Sequence, residues 1–117
     1  MKLLRSLLFL SLGFVTVLYA HGITVSKSGL TSGAAVASAA TITPSGNSFH
    51  VTGVTTITAI TVLAADTKIC AIFDGILTVT DNNTTLNTAG NFVTTADDIL
   101  CLVSDGTNWR ESSRSVN

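Results

Sequence analysis

Beyond residue 48 the chain alternates apolar and small polar positions in short runs, broken at intervals by glycine-containing turns. That period of two is the signature of strands with one buried face. Ile69-Cys70-Ala71-Ile72-Phe73-Asp74-Gly75 recurs as Leu100-Cys101-Leu102-Val103-Ser104-Asp105-Gly106, with Cys, a β-branched residue and Asp-Gly in the same order. A weaker copy without the cysteine is Phe49-His50-Val51-Thr52-Gly53. One buried strand running into a tight turn, used repeatedly, is how a stacked all-β protein is written. The expected fold class is therefore all-β, as a short β-solenoid or a compact hairpin-stacked β-sandwich.

The turn-forming pairs are Thr52-Gly53, Asp74-Gly75 and Asp105-Gly106. Asp-Gly is favoured in a type I′ hairpin because both central residues need positive φ. A hairpin at Asp74-Gly75 sets residue 72 opposite 77 and 70 opposite 79. One face then carries Cys70, Ile72, Leu77 and Val79, and the other Ile69, Ala71, Phe73, Ile76, Thr78 and Thr80. Both faces are largely apolar, which a domain this small does not bury alone. The expectation is a homo-oligomer, a trimer, associating through apolar strand faces.

Upstream the pattern changes character. Residues 1–22 combine a basic start (Lys2, Arg5), an apolar stretch from Leu7 to Leu18 and small residues at Ala20 and Gly22, which reads as a signal peptide. The apolar stretch is shorter than the ~20 residues a membrane span requires. Residues 23–46 form a lead-in rich in Ala, Ser, Gly and Thr, read as a flexible segment or an edge strand around residues 40–43. Residues 47–117 then form the all-β domain. The expected location is secreted, periplasmic or at a cell or virion surface, with no membrane attachment after cleavage.

Charge narrows the partners. Six basic residues face seven acidic ones across the 117-residue chain; without Lys2 and Arg5 the balance is four against seven, or −3. Lys27, Lys68, Arg110 and Arg114 make no basic face, so nucleic acid is not an expected partner. Export also changes the reading of Cys70 and Cys101. They are either buried thiols or, at equivalent repeat positions in an oxidising compartment, a disulfide. A bond within one subunit is the expectation tested below.

The string Phe49-His50-Val51-Thr52-Gly53-Val54-Thr55-Thr56-Ile57-Thr58-Ala59-Ile60 resembles a segment common in bacteriophage tail-fibre, head-fibre and related virion structural proteins. Phe73 to Thr80 continues the likeness, and Val103 to Glu111 resembles the way such modules finish, with an aromatic strand after an Asp-Gly turn. The resemblance spans roughly residues 40–114. It implies a rigid, all-β, often trimeric fibre or spike module with no catalytic residues. Thr84 to Gly90 departs from the glycine-proline-rich segment usual in those modules, and a signal peptide is foreign to proteins assembled in the cytoplasm.

Candidate chemistry is sparse. His21 sits at the processing site, and His50 lies in a strand without a motif that would give it a nucleophile. Asp97-Asp98 and Asp81-Asn82-Asn83 lack the spacing of a calcium loop and read as turn chemistry. No cofactor, metal or catalytic residue is expected, and the chain reads as a non-enzyme. Asn82-Asn83-Thr84 and Asn83-Thr84-Thr85 are overlapping glycosylation sequons. Trp109, the single tryptophan, is a candidate glycan contact. The expected function is an exported structural or adhesive fibre-like protein that engages a surface receptor or glycan. A small secreted carbohydrate-binding or adhesin module is the alternative. Thr-x-Thr at residues 41–43, 56–58 and 78–80 raises an ice-binding face as a further one, against which stand the unequal spacings, 22 and 31, of Gly53, Gly75 and Gly106.

Overall fold

A computed structural model describes residues 31–117, in which ten strands and no helix are assigned. The leader and the first part of the lead-in lie outside the described residues. The strands are β1 (Val36–Ala37), β2 (Thr41–Ile42), β3 (Ser48–Thr52), β4 (Ala59–Ile60) and β5 (Lys68–Phe73). They continue as β6 (Thr78–Val79), β7 (Leu86–Asn87), β8 (Phe92–Val93), β9 (Ile99–Ser104) and β10 (Trp109–Ser115). The fold is all-β, as the alternation predicts.

The first half is wound in coils. β1, β3 and β5 lie side by side and parallel, while β2 and β4 pair in parallel in a second sheet. Between the second and third coils the register is constant. Ser48 pairs with Cys70, Val51 with Phe73, and Ile57 bridges Val79, each offset by 22 residues. The second half closes the stack. β9 runs antiparallel to β5, β10 antiparallel to β9, and β7 lies on the far edge beside β10, giving one six-stranded sheet ordered β1-β3-β5-β9-β10-β7. β8 covers β6 in the same antiparallel manner.

Alternation drives the packing. Phe49 and Val51 of β3, Ile69, Ala71 and Phe73 of β5, Leu100 and Leu102 of β9, and Trp109 of β10 point inward. They meet Ile42, Ile57, Ile60, Leu77, Val79 and Phe92 from the opposite side in one continuous core. Phe73 and Phe92 join the two sides edge to face, with ring centroids 6.0 Å apart. Polar groups in this core are satisfied: Thr94 donates its hydroxyl to Gly75 O at 2.7 Å, and Ser104 donates to Leu63 O at 2.7 Å. The described part of the small-residue lead-in, residues 31–46, is the first coil of this body. β2 coincides with the edge strand expected at residues 40–43, and Ile42 anchors it in the core.

The hairpin at Asp74-Gly75 is not formed, which corrects one expectation. β5 pairs with β3 and β9, and β6 pairs with β8, so residues 70 and 72 do not face 79 and 77. Ile69, Ala71, Phe73, Leu77 and Val79 all point to the core, whereas Cys70, Ile72 and Ile76 point outward. Asp74 and Gly75 both keep negative φ, so no type I′ turn exists there. Their segment is a coil corner, stacked on the corner at Thr52-Gly53 by the 22-residue register. Gly53 does adopt positive φ (86°), and a Cβ there would meet Ser38 Oγ at 2.6 Å. That oxygen is held in place because it accepts from Thr55 N. At Gly75 a Cβ would lie no nearer than 4.0 Å to another atom, the Gly53 carbonyl oxygen. Asp105-Gly106 belongs to a true hairpin, with a four-residue loop. Gly106 has φ 92°, and Asp105 Oδ1 accepts from Thr107 N and Asn108 N.

Cys70 and Cys101 are bonded to each other within the chain. They stand directly opposite on antiparallel β5 and β9, and Cys70 N donates to Asn47 O on the other side. Theirs is therefore a non-hydrogen-bonded pair, the closer of the two antiparallel kinds, and their Cα atoms are 4.1 Å apart. The disulfide fastens the parallel coils to the antiparallel closure.

Unfolded, non-reduced protein should show no free thiol on titration. Replacing both cysteines with alanine should lower stability by roughly 3–4 kcal/mol, the chain-entropy value for a loop of this size, measured as a shift of the denaturant midpoint. Gly53→Ala should cost about 1–3 kcal/mol because it adds positive-φ strain and a clash, while Gly75→Ala should lie within about 0.5 kcal/mol of wild type. Equal shifts in thermal melts of the two glycine variants would contradict the corner geometry.

Candidate functional site

Three acid–base side-chain pairs lie on or beside the six-stranded sheet: His50 with Asp74, Arg110 with Asp105, and Arg114 with Glu111. His50 of β3 and Asp74 at the next corner meet at 2.6 Å, Nδ1 to Oδ1, with side chains 53% and 43% exposed. The 22-residue register sets His50 beside Ile72, so Asp74 is its diagonal neighbour, a contact that reading His50 alone did not disclose. Ser48 and Thr52 share the outward parity of His50. A side-chain contact this exposed contributes little to stability. It is a polar feature of the sheet's outer side.

The β7–β10 edge carries a shallow cleft of about 530 Å³ lined by Asn87, Thr88, Ala89, Arg110, Glu111 and Ser112. Parallel pairing sets Arg110 beside Asn87. Arg110 donates Nε–H to Asp105 Oδ2 at 3.0 Å. The floor is organised by Arg114, whose guanidinium donates Nε–H to Glu111 Oε1 and Nη2–H to Glu111 Oε2, each at 2.6 Å. The same group stacks 4.6 Å from the centre of the Phe92 ring. Glu111 Oε2 also accepts from Ala89 N at 2.7 Å. The two hydrogen bonds from Arg114, then the one from Ala89, hold the Glu111 carboxyl below its ordinary range, and Arg114 is raised in return.

Trp109 is not part of any surface. It is fully buried at the start of β10 and donates Nε1–H to Thr61 O at 3.2 Å, so the expectation of a glycan contact there is corrected. Alternation explains it: Trp109 pairs with buried Ser104, and its parity in β10 faces the core. Among the turn-forming residues, Asp105 is held low by the N–H groups of Asn108 and Thr107, with Arg110 adding less.

The remaining polar clusters serve the backbone. Asp81 Oδ1 accepts from Asn83 N and Thr88 N. Asn82 Oδ1 accepts from Thr84 N, Thr84 Oγ1 and Leu86 N, while its amide donates to Thr58 O and Thr85 Oγ1. Of the two overlapping sequons, only the Asn83 side chain is free of such bonds; it is exposed, with φ 52°. Buried Asp98 accepts from Asn117 N and Thr95 N, and these two backbone donors, in that order, lower its carboxyl against the opposing effect of burial. Asp98 thus ties the C-terminal end of the chain to the start of β9. Among the described residues, no three His, Cys, Asp or Glu side chains converge in a metal-binding arrangement. No protein-family model, curated protein or solved structure matches the chain.

The depressed carboxyls set an acid dependence. A group whose folded-state pKa lies below its unfolded value stabilises fully above the unfolded value and loses that contribution as pH falls through the folded one. Asp98, Asp105 and Glu111 all have this sign, so the melting temperature should be level above roughly pH 5 and fall progressively below about pH 4. Asp98→Asn should melt lower than wild type at pH 7 and show a shallower acid slope. A variant slope equal to wild type would remove Asp98 from this role.

Proposed function

We propose that this chain is an exported structural and adhesive module of the fibre or spike kind, without catalysis, that works as a homo-oligomer, expected to be a trimer. The observation that carries the reading is mechanical. Stacked coils in unbroken 22-residue register run from Ser48 to Val79, and a covalent bond from β5 to β9 fastens them to an antiparallel closure. Parallel coils each hydrogen-bonded to the next form a stack in which every coil is stabilised by its neighbours. Such a body presents surfaces rigidly, as attachment proteins require. The resemblance to phage fibre modules points the same way, and the residues that carry it, Phe49 to Ile60 and Phe73 to Thr80, form the second coil and the corner to β6. The leader reading directs the product to the secreted, periplasmic or surface compartment.

The second reading is a small carbohydrate-binding module, favoured by the polar cleft at Asn87, Arg110 and Glu111. Sugars are held by such planar hydrogen-bonding groups, though here without an aromatic platform. The ice-binding alternative has weaker support, since Val93 interrupts the threonine rank of Thr56 and Thr78.

Immunogold electron microscopy with an antibody to the folded domain is the test. Labelling should decorate the outside of cells or virions. Label confined to the cell interior would overturn the reading. Glycan-array binding abolished by Arg110→Ala, with surface label absent, would establish the carbohydrate reading instead.

A further inference from the structure

The overlapping triplets Asn82-Asn83-Thr84 and Asn83-Thr84-Thr85 play no part in the function proposed above. Asn-x-Thr is read by enzymes that transfer a glycan to the asparagine amide nitrogen. The motif specifies that chemistry without choosing between the two nitrogens, and the fold separates them. Asn82 is half-buried, and its side chain is committed to the chain itself. Its Oδ1 accepts from Thr84 N, Thr84 Oγ1 and Leu86 N, each at 2.9 Å. Its Nδ2 donates to Thr58 O at 3.2 Å and to Thr85 Oγ1 at 3.1 Å. Both N–H groups of Asn82 are therefore in use. A sugar on that nitrogen leaves it a single N–H, so one of the two donations is lost.

Asn83 differs in each respect. It is exposed, and its side chain makes no hydrogen bond among the described residues. Thr84 and Thr85 are exposed as well, so the whole Asn83 triplet faces solvent in the bend between β6 and β7. Only the backbone of Asn83 is held: its N–H donates to Asp81 Oδ1 at 3.1 Å, and its φ is 52°.

We propose that Asn83 is an N-glycan acceptor and that Asn82, although it heads its own triplet, is not. Asn83 Nδ2 attacks the anomeric carbon of an oligosaccharide carried on a polyprenyl diphosphate. A C–N bond forms, the bond from that carbon to the diphosphate oxygen breaks, Nδ2 gives up one proton, and the lipid diphosphate leaves. Export, part of the reading above, brings the chain to such enzymes, whereas the choice of nitrogen rests on the fold alone. A glycan at Asn83 is a bulky polar group on a surface bend. It costs the fold no hydrogen bond and leaves the five made by the Asn82 side chain intact. The order of events does not alter the choice: a chain modified at Asn82 before folding lacks a bond that the bend requires.

The test is transfer to purified, folded, disulfide-bonded protein by a single-subunit oligosaccharyltransferase supplied with a polyprenyl-diphosphate-linked oligosaccharide. Intact mass and peptide mapping are the readouts, and a free peptide of residues 81–87 serves as the enzyme control. Wild type should gain one glycan per chain, mapped to Asn83. Asn83→Gly, which suits a positive φ, should abolish the gain. Thr85→Ala should abolish it too, because it destroys the Asn83 triplet and leaves that of Asn82 whole. Thr84→Ala does the reverse and should keep the gain. A glycan on Asn82, or one retained by Thr85→Ala, overturns the assignment. So does a folded wild type left unmodified while the free peptide is glycosylated. Because the enzyme is supplied, these outcomes are independent of export, which secretion of the full chain reads separately.

Discussion

The structure turns on β5, the strand that is parallel to β3 on one side and antiparallel to β9 on the other. Its N–H and C=O groups must be paired on both sides because its alternate side chains are wholly buried, and an unmet backbone group there is expensive. β3 satisfies one side in the parallel register of a coil, and β9 satisfies the other in reverse. Every later element follows from that reversal. β9 needs its own partner, which β10 provides by a short hairpin, and β10 in turn draws β7 onto the far edge. The disulfide sits at the reversal, where loss of register would separate the coils from their closure.

The class of fold and the bonded cysteines were legible, and the direction of the strands was not. Alternation reads the same forwards and backwards, so Ile69–Phe73 and Leu100–Ser104 look like translated copies although they lie antiparallel with Cys70 opposite Cys101. The stacked copy is the weaker one, Phe49–Gly53, whose likeness to Ala71–Gly75 is confined to two buried positions and a glycine. Asp-Gly misled for a related reason. The same dipeptide fits a hairpin loop at Asp105-Gly106 and a coil corner at Asp74-Gly75, and only the partners of the flanking strands decide between them.

Surface features were legible in part. Trp109 was a candidate glycan contact as the single tryptophan, yet its pairing with Ser104 carries it inward, a relation visible only once β9 and β10 are paired. The Arg114–Glu111 pair is three residues apart and β10 is a strand, so the two would ordinarily project on opposite faces. The shift in register between Glu111 and Ser113 adds one residue and brings them to the same side. A bulge of this kind leaves no mark in the alternation, and the Phe92–Arg114–Glu111 stack is invisible without it.

The same register that builds the core also sorts the outer surface, and this connects fold to proposed role. Because the second and third coils are offset by a constant 22 residues, an outward residue type repeated at that interval becomes a pair across those two coils. Val54 with Ile76 and Thr56 with Thr78 obey the interval, while Lys68, Arg110, Glu111 and Arg114 lie on β5 and β10 of the six-stranded sheet. Residues 53–61, 75–80 and 91–95 are thereby left without charge, and the other side is polar and notched at the β7–β10 edge. The division requires no added domain: period-two alternation fixes which residues face out, and the 22-residue offset fixes which of them stand together.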